Sequence, residues 1–212
     1  MHMKNGIIFD IDGTLWNATE AVTKGWNSAL TAHGYQCITN EFVDSLMGMT
    51  RIQIAKAVLP DVDLKESLQV MAEGGTTSRK LISEGHFRLF DHEEETLRKL
   101  REKYELFILT NASPSYVEML YKATGFAYLF TDQISFGETG LDKTDNMKVL
   151  VERHGLDQAV YVGDTEGDHQ YSIRAELPFI FVEFGHGKAI DPQYSISDYD
   201  QLPALAERIF GE

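Results

Sequence analysis

An apolar segment, Gly6-Ile7-Ile8-Phe9, runs directly into Asp10-Ile11-Asp12-Gly13-Thr14, placing two carboxylates one residue apart behind a buried-strand pattern. Ending such a strand in two acids is costly unless the acids are used. A calcium loop of the helix-loop-helix kind also begins with Asp-x-Asp, but it needs Gly at its sixth position and Glu at its twelfth. This chain has Leu15 and Ala21 there, so that option fails. Further along, the run Leu106 to Leu109 ends in Thr110-Asn111, Lys143 opens an expected helix, and Ala159 to Val162 ends in Gly163-Asp164-Thr165-Glu166-Gly167-Asp168. Each has an ordinary reading when taken singly: Thr110 as a helix cap, Lys143 as a solvated charge, Asp164 as a turn residue. Together, in that order along one sheet edge, they are groups suited to a phosphate.

These positions need a scaffold that brings strand ends together. From residue 87 onward short apolar runs alternate with helical patterns, and Leu106–Leu109, Ala159–Val162 and Phe179–Val182 read as buried strands. Gly6 to Asp10 adds another. Asp91 is the expected N-cap of a helix whose apolar face holds Leu97, Leu100 and Tyr104, with Glu93, Glu94 and Glu95 at its positive end rather than in a metal cluster. A second helix carries Tyr116, Val117, Leu120 and Tyr121 up to Gly125, and a third carries Met147, Leu150 and Val151 up to Gly155. The expected class is α/β: a Rossmann-like parallel sheet with helices on both faces, binding its ligand beyond the carboxyl ends of the strands.

Residues 17–86 lack that alternation. They read as helices over Ala18–His33, Glu41–Met47, Ile52–Leu59 and Leu64–Ser83, the last broken at Gly74-Gly75. The expected organisation is a core of residues 1–15 and 87–212 and a helical cap of residues 16–86, inserted after the first strand and able to lie over the strand ends.

The chain has 212 residues, enough for one domain with an insertion and a real core. Hydrophobic residues at 43% and charged residues at 25% argue for a folded globular chain rather than disorder. The 19 basic and 33 acidic residues give a net charge of -14, which opposes non-specific binding to nucleic acid or to an anionic membrane. No apolar run approaches a bilayer span, and Met1 to Asp10 reaches acid too early for a signal peptide, so a cytoplasmic protein is expected. Cys37 has no partner for a disulfide and sits in no metal-ligand spacing.

The segment Asp10-Ile11-Asp12-Gly13-Thr14, Thr110-Asn111, Lys143 and Gly163-Asp164-Thr165-Glu166-Gly167-Asp168 resemble the four motifs of the haloacid dehalogenase superfamily, within its phosphoglycolate-phosphatase-like branch with a helical cap. The resemblance spans residue 5 to about residue 187. It implies a phosphatase in which Asp10 is the nucleophile, giving an aspartyl-phosphate, and Asp12 is the acid for the leaving group and then the base for water. Crowding by Asp10 and Asp164 is expected to favour the neutral form of Asp12. Because a phosphate dianion is repelled by clustered carboxylates, a divalent metal is implied, and hard oxygen ligands suit Mg2+. By the resemblance its ligands are the Asp10 carboxylate, the Asp12 backbone carbonyl and the Asp164 carboxylate, with Asp168 close by. Thr110 would donate to a phosphate oxygen, with Asn111 beside it. Lys143 would pair with Asp10 and the phosphate.

The second acid separates this chain from the dehalogenases of the superfamily, which lack it because halide needs no proton. Gly48-Met49-Thr50-Arg51 resembles the cap loop of the β-phosphoglucomutase relatives, where the Arg contacts substrate, which makes Arg51 a candidate for the distal end of the substrate and a mutase the alternative activity. Those mutases carry a linker His where this chain has Val22, which favours a hydrolase. A non-catalytic ligand-binding or regulatory protein of the same fold is the other alternative, and the acid at Asp12 argues against it. Thr144-Asp145 follow Lys143 where the family commonly has Pro, and Asn17 receives no role. Trp16 reads as a packed aromatic or as a group facing the substrate from the linker. The expected partner is a small phosphorylated metabolite, neither nucleic acid nor membrane.

Overall fold

The computed structural model describes residues 3–211. Met1, His2 and Glu212, at the outer ends of the expected core segments, lie outside the described residues. Asn5–Phe9 (β1), Glu105–Thr110 (β2), Asp132–Ser135 (β3), Gln158–Gly163 (β4), Phe179–Val182 (β5) and Tyr194–Ile196 (β6) form one parallel sheet in the order β3-β2-β1-β4-β5-β6. Strand side chains alternate between two cores, as the two-residue period of a strand requires. Ile7 and Phe9 join Leu106, Ile108, Val160 and Val162 on one face. Ile8 joins Phe107, Leu109 and Tyr161 on the other.

The helices are Thr19–Ala32 (α1), Asn40–Asp44 (α2), Arg51–Val58 (α3), Leu64–Ser83 (α4), Glu93–Arg101 (α5), Pro114–Thr124 (α6), Lys143–His154 (α7), Glu166–Ala175 (α8) and Leu202–Phe210 (α9). The strand order reverses direction at β1, which has β2 on one side and β4 on the other, with Phe9 opposite Ile108 and Val162. The segments carrying Asp10, Thr110-Asn111 and Asp164 therefore leave the sheet as neighbours, at the switch point where open parallel sheets bind ligands.

α1 to α4 interrupt the alternation between β1 and β2. Their entry and exit are pinned to each other: the Asn17 amide donates to the Arg88 carbonyl at 2.8 Å and the Arg88 amide to the Asn17 carbonyl at 2.9 Å. α1 and α4 approach closely because each offers a glycine at the crossing. A Cβ on Gly74 would lie 2.8 Å from the Trp26 Cα, and one on Gly25 would lie 2.7 Å from the Gly74 carbonyl oxygen.

Four local expectations need correction. α4 is unbroken across Gly74-Gly75, since those residues serve packing and space rather than a turn. α2 ends at Asp44 instead of continuing to Met47. α5 is preceded by His92 in a left-handed conformation (φ 58°), not capped by Asp91, and the Glu93 carboxylate itself accepts from the Phe90 amide at 3.0 Å. β3 and β6 were not anticipated, because β3 reads Asp-Gln-Ile-Ser and β6 has three residues. Both lie at sheet edges, where continuous apolar runs are not required. No helix among the described residues is long and apolar enough to cross a membrane.

Candidate active site

The turn after β1 is tight because Gly13 has φ 76° and no side chain. A Cβ there would lie 2.1 Å from Asp164 Oδ2. Gly13 thus lets the first acidic motif fold directly against the last one. Lys143, the first residue of α7, reaches inward to the same place from a helix start capped by Asp142, whose side chain accepts from the Asp145 amide at 3.1 Å.

The Lys143 ammonium is buried and donates to Asp10 Oδ1 at 2.8 Å, Asp168 Oδ1 at 2.7 Å and the Tyr161 hydroxyl at 2.9 Å. Burial alone would push its pKa down. Asp10 and Asp168 instead hold it well above the ordinary lysine range. All three donor positions of the ammonium are filled by acceptors that fix it. Asp168 completes the anchoring: its Oδ2 accepts from the Thr165 amide at 3.2 Å and from Thr165 Oγ1 at 2.6 Å, in a capping box at the start of α8.

Asp10 is almost fully buried, and burial raises its carboxyl to about 7 against the Lys143 charge, with Asp168 and Asp12 adding to the rise. Asp164 is raised well above the usual carboxylate range by burial and by Asp168 and Asp10. Its Oδ2 accepts from the backbone amides of His186 and Gly187 at 2.7 and 3.3 Å. Its Oδ1 is buried with no hydrogen-bond partner. Carboxylate oxygens of Asp10, Asp164 and Asp168 lie within 4.8 Å of one another. Three buried acids with one orphaned oxygen form a set that a small hard cation completes.

Asp12 stands apart from that cluster. Its Oδ1 accepts from the Tyr116 hydroxyl at 2.5 Å and from Trp16 Nε1 at 3.2 Å. Its pKa is raised, as expected, but the cause differs from the one anticipated. Burial is the leading contribution, and the charges that matter there, His186 and Lys143, act to lower it. Crowding by acids is not what favours its neutral form. Trp16 is fully buried, with its ring against Phe87 and Tyr116 and its N–H spent on Asp12. It is a packed aromatic that also orients the acid.

Thr110 is buried, and its Oγ1 accepts from the Ala112 amide at 3.0 Å, which leaves the hydroxyl proton to donate elsewhere. Asn111 uses its side-chain amide on the Gly48 carbonyl at 2.8 Å, so it ties the sheet edge to the loop before α3. A second tie joins the same two parts: His186 Nδ1 lies 2.8 Å from Asp44 Oδ1, which also accepts from the Thr19 hydroxyl at 2.5 Å. Between the strand ends and α1, α3 and α4 is a cavity of about 550 Å3, with Asp10, Asp12, Thr110, Asn111 and Tyr116 on the sheet side and Arg51 on the helical side. The Arg51 guanidinium donates to the Leu68 carbonyl at 3.4 Å and is exposed.

The structure therefore gathers Asp10, Lys143, Asp164 and Asp168 into one buried cluster and sets Asp12, Thr110 and Asn111 on the wall of the adjoining cavity. Sequence reasoning missed Tyr116, Tyr161 and His186 as members of the site. Tyr116 was visible only as one of a helical apolar stripe, though a buried tyrosine hydroxyl needs a partner and this helix starts just after Thr110-Asn111.

A family model described as haloacid dehalogenase-like hydrolase matches residues 7–182. The chain is 28% identical over 216 residues to a phosphoglycolate phosphatase of Agrobacterium fabrum, covering 95% of this chain and 92% of that one. It is 26% identical over 200 residues to a phosphoglycolate phosphatase of Aliivibrio fischeri, covering 87% of each. Among solved structures it is similar to one described as a "predicted phosphoglycolate phosphatase" from Haemophilus somnus, with TM-score 0.88 at 20% identity over 97% of this chain and 99% of that one. It is also similar to a haloacid dehalogenase-like family protein from Streptococcus pneumoniae, with TM-score 0.83 at 19% identity over 97% and 100%. At those identities the structural likeness speaks for the fold.

Proposed function

The chain belongs to the haloacid dehalogenase-like hydrolases and is a phosphatase of that family, and from this premise we propose that it hydrolyses a small organic phosphate monoester, with Mg2+, through an aspartyl-phosphate on Asp10. The observation that carries the reading is the pairing of two unlike carboxyl environments one residue apart. Asp10 is held by the Lys143 ammonium, whereas Asp12 is held by two neutral donors in a site whose burial favours its protonated form. Two titratable groups so separated suit a nucleophile and a general acid.

In this reading Asp10 attacks phosphorus in line, and the alcohol oxygen leaves with the proton of Asp12. Asp12, now a carboxylate, takes a proton from the water that attacks the phosphoenzyme. Lys143 neutralises charge at Asp10 and the phosphoryl oxygens, and Thr110 donates its free hydroxyl proton to one of them. Tyr116 and Trp16 hold one oxygen of Asp12, which leaves the other for proton transfer. Asp10 and Asp164 with the Asp12 carbonyl would hold Mg2+, and Asp168, whose oxygens are already engaged, supports Lys143. When bound, Mg2+ offsets the phosphate dianion's repulsion from the acids. Val22 lines the cavity where the mutase relatives place an imidazole, which supports hydrolysis over isomerisation.

The test is release of inorganic phosphate from a generic aryl phosphate with Mg2+ and with a chelator. Mg2+-dependent release equal to substrate consumed is expected, with loss of turnover in Asp10→Asn. Full activity in that variant or in chelator removes the mechanism. Isomerised sugar phosphate without phosphate release makes the protein a mutase.

A further inference from the structure

The cavity is larger and more apolar than a two-carbon acid requires. Cavities of about 550 Å3 lie in the range that encloses drug-sized molecules. Above the acids its wall is built from Val22, Trp26, Met47 and Met71. A phosphorylated glycolate on Asp10 would leave most of that apolar surface facing water.

Gly75 sharpens the point. It lies within α4 and on the cavity wall, where a glycine destabilises a helix relative to alanine. Its neighbour Gly74 is required by the crossing with α1. A Cβ on Gly75, in contrast, would meet only the Arg79 guanidinium, at 3.5 Å. Packing within the protein does not explain the missing side chain, whereas room for a ligand does. One turn further along the same face, Arg79 donates to Thr76 Oγ1 at 2.9 Å and, among the described residues, has no carboxylate partner. It lines the cavity together with Arg51, whose guanidinium is likewise without one.

Resting on the phosphatase reading above, the geometry points to a substrate whose alcohol part carries an apolar body of at least one ring's bulk and ends in an anionic group, with Gly75 making room for the body and Arg79 facing the anion. The apolar wall gains from the body because burying it removes both surfaces from water. The guanidinium matches a carboxylate or phosphate at the far end.

Three monoesters of primary alcohols test this under one Mg2+ condition: phosphoglycolate, benzyl phosphate and 4-carboxybenzyl phosphate. The expected order of kcat/KM is 4-carboxybenzyl above benzyl above phosphoglycolate, each step about tenfold, the first on the scale of a hydrogen bond to a charged group and the second on the scale on which apolar pockets discriminate. Gly75→Leu should lower the benzyl to phosphoglycolate ratio by about tenfold, and Arg79→Gln should lower the 4-carboxybenzyl to benzyl ratio similarly. A general folding defect lowers all three rates together and leaves these ratios standing. Turnover led by phosphoglycolate, or ratios unmoved in both variants, overturns the inference while the phosphatase reading stands. Failure to release phosphate both from all three and from an aryl phosphate defeats the phosphatase reading and this inference with it.

Discussion

The Tyr116 hydroxyl donates to Asp12 Oδ1 at 2.5 Å across a separation of 104 residues, and it does so from the helix that begins just after the Thr110-Asn111 turn. The acid is thereby oriented by a residue from a different motif. Tyr116→Phe keeps the ring against Trp16 and removes only the donor. Turnover of an alkyl phosphate should fall roughly tenfold, the scale of a hydrogen bond to a charged group. Because that bond lowers the Asp12 pKa, its loss should also move the alkaline limb of the kcat profile upward. A rate loss with an unmoved limb would assign Tyr116 to packing alone.

Lys143→Met leaves Asp10 and Asp168 buried without their shared counter-ion. Breaking a buried pair this way costs about 3–5 kcal/mol, which urea unfolding monitored by tryptophan fluorescence would read as a lowered midpoint. Adding Asp168→Asn to Lys143→Met should recover part of the loss. An unchanged midpoint in the single variant would mean the ammonium is solvated rather than enclosed.

Asp164 Oδ1 has no protein partner, so a divalent cation should stabilise the folded chain. At a concentration near 100 times the dissociation constant the gain is about 2.7 kcal/mol, or a rise of roughly 5–10 °C in the melting temperature of a chain this size. Asp164→Asn should melt at nearly the same temperature with and without MgCl2. A magnesium-dependent rise retained in that variant would place the cation elsewhere.

Glu93 is buried, and its pKa is raised well above the ordinary 4.5 by burial, with Oε1 left without a partner. A raised folded pKa means the native state holds its proton where the unfolded chain has lost it. The contribution is therefore fully present below pH 4.5 and is lost as pH rises through the folded value. Glu93→Gln has no proton to lose, so its stability relative to the wild type should climb as pH rises from 4.5 and level off once the folded carboxyl has ionised. Denaturant unfolding at several pH values would show it, and a flat difference would contradict the burial of this carboxyl.

The core strands were legible because a parallel strand covered on both faces must be apolar throughout, and each such run stops where polar residues begin. That same rule exposed Asp10, Thr110 and Asp164, which sit where the runs end. The edge strand Asp132–Ser135 escaped it because Ile134 is its single apolar residue. The partners of Asp12 escaped for another reason. Trp16 and Tyr116 look like ordinary core aromatics until the fold brings their polar ends to one oxygen, and no spacing along the chain encodes that meeting. The cause of the Asp12 shift was misjudged on the same ground, since burial is a property of the folded surroundings and not of the Asp-x-Asp pattern.

The mutual hydrogen bonds of Asn17 and Arg88 leave the helical insertion little freedom in how it moves. Two linkers zipped side by side cannot lengthen or slide independently, so the insertion is left with a swing about their common axis. The contacts Asp44–His186 and Gly48–Asn111 hold that swing shut over the cavity lined by Asp10.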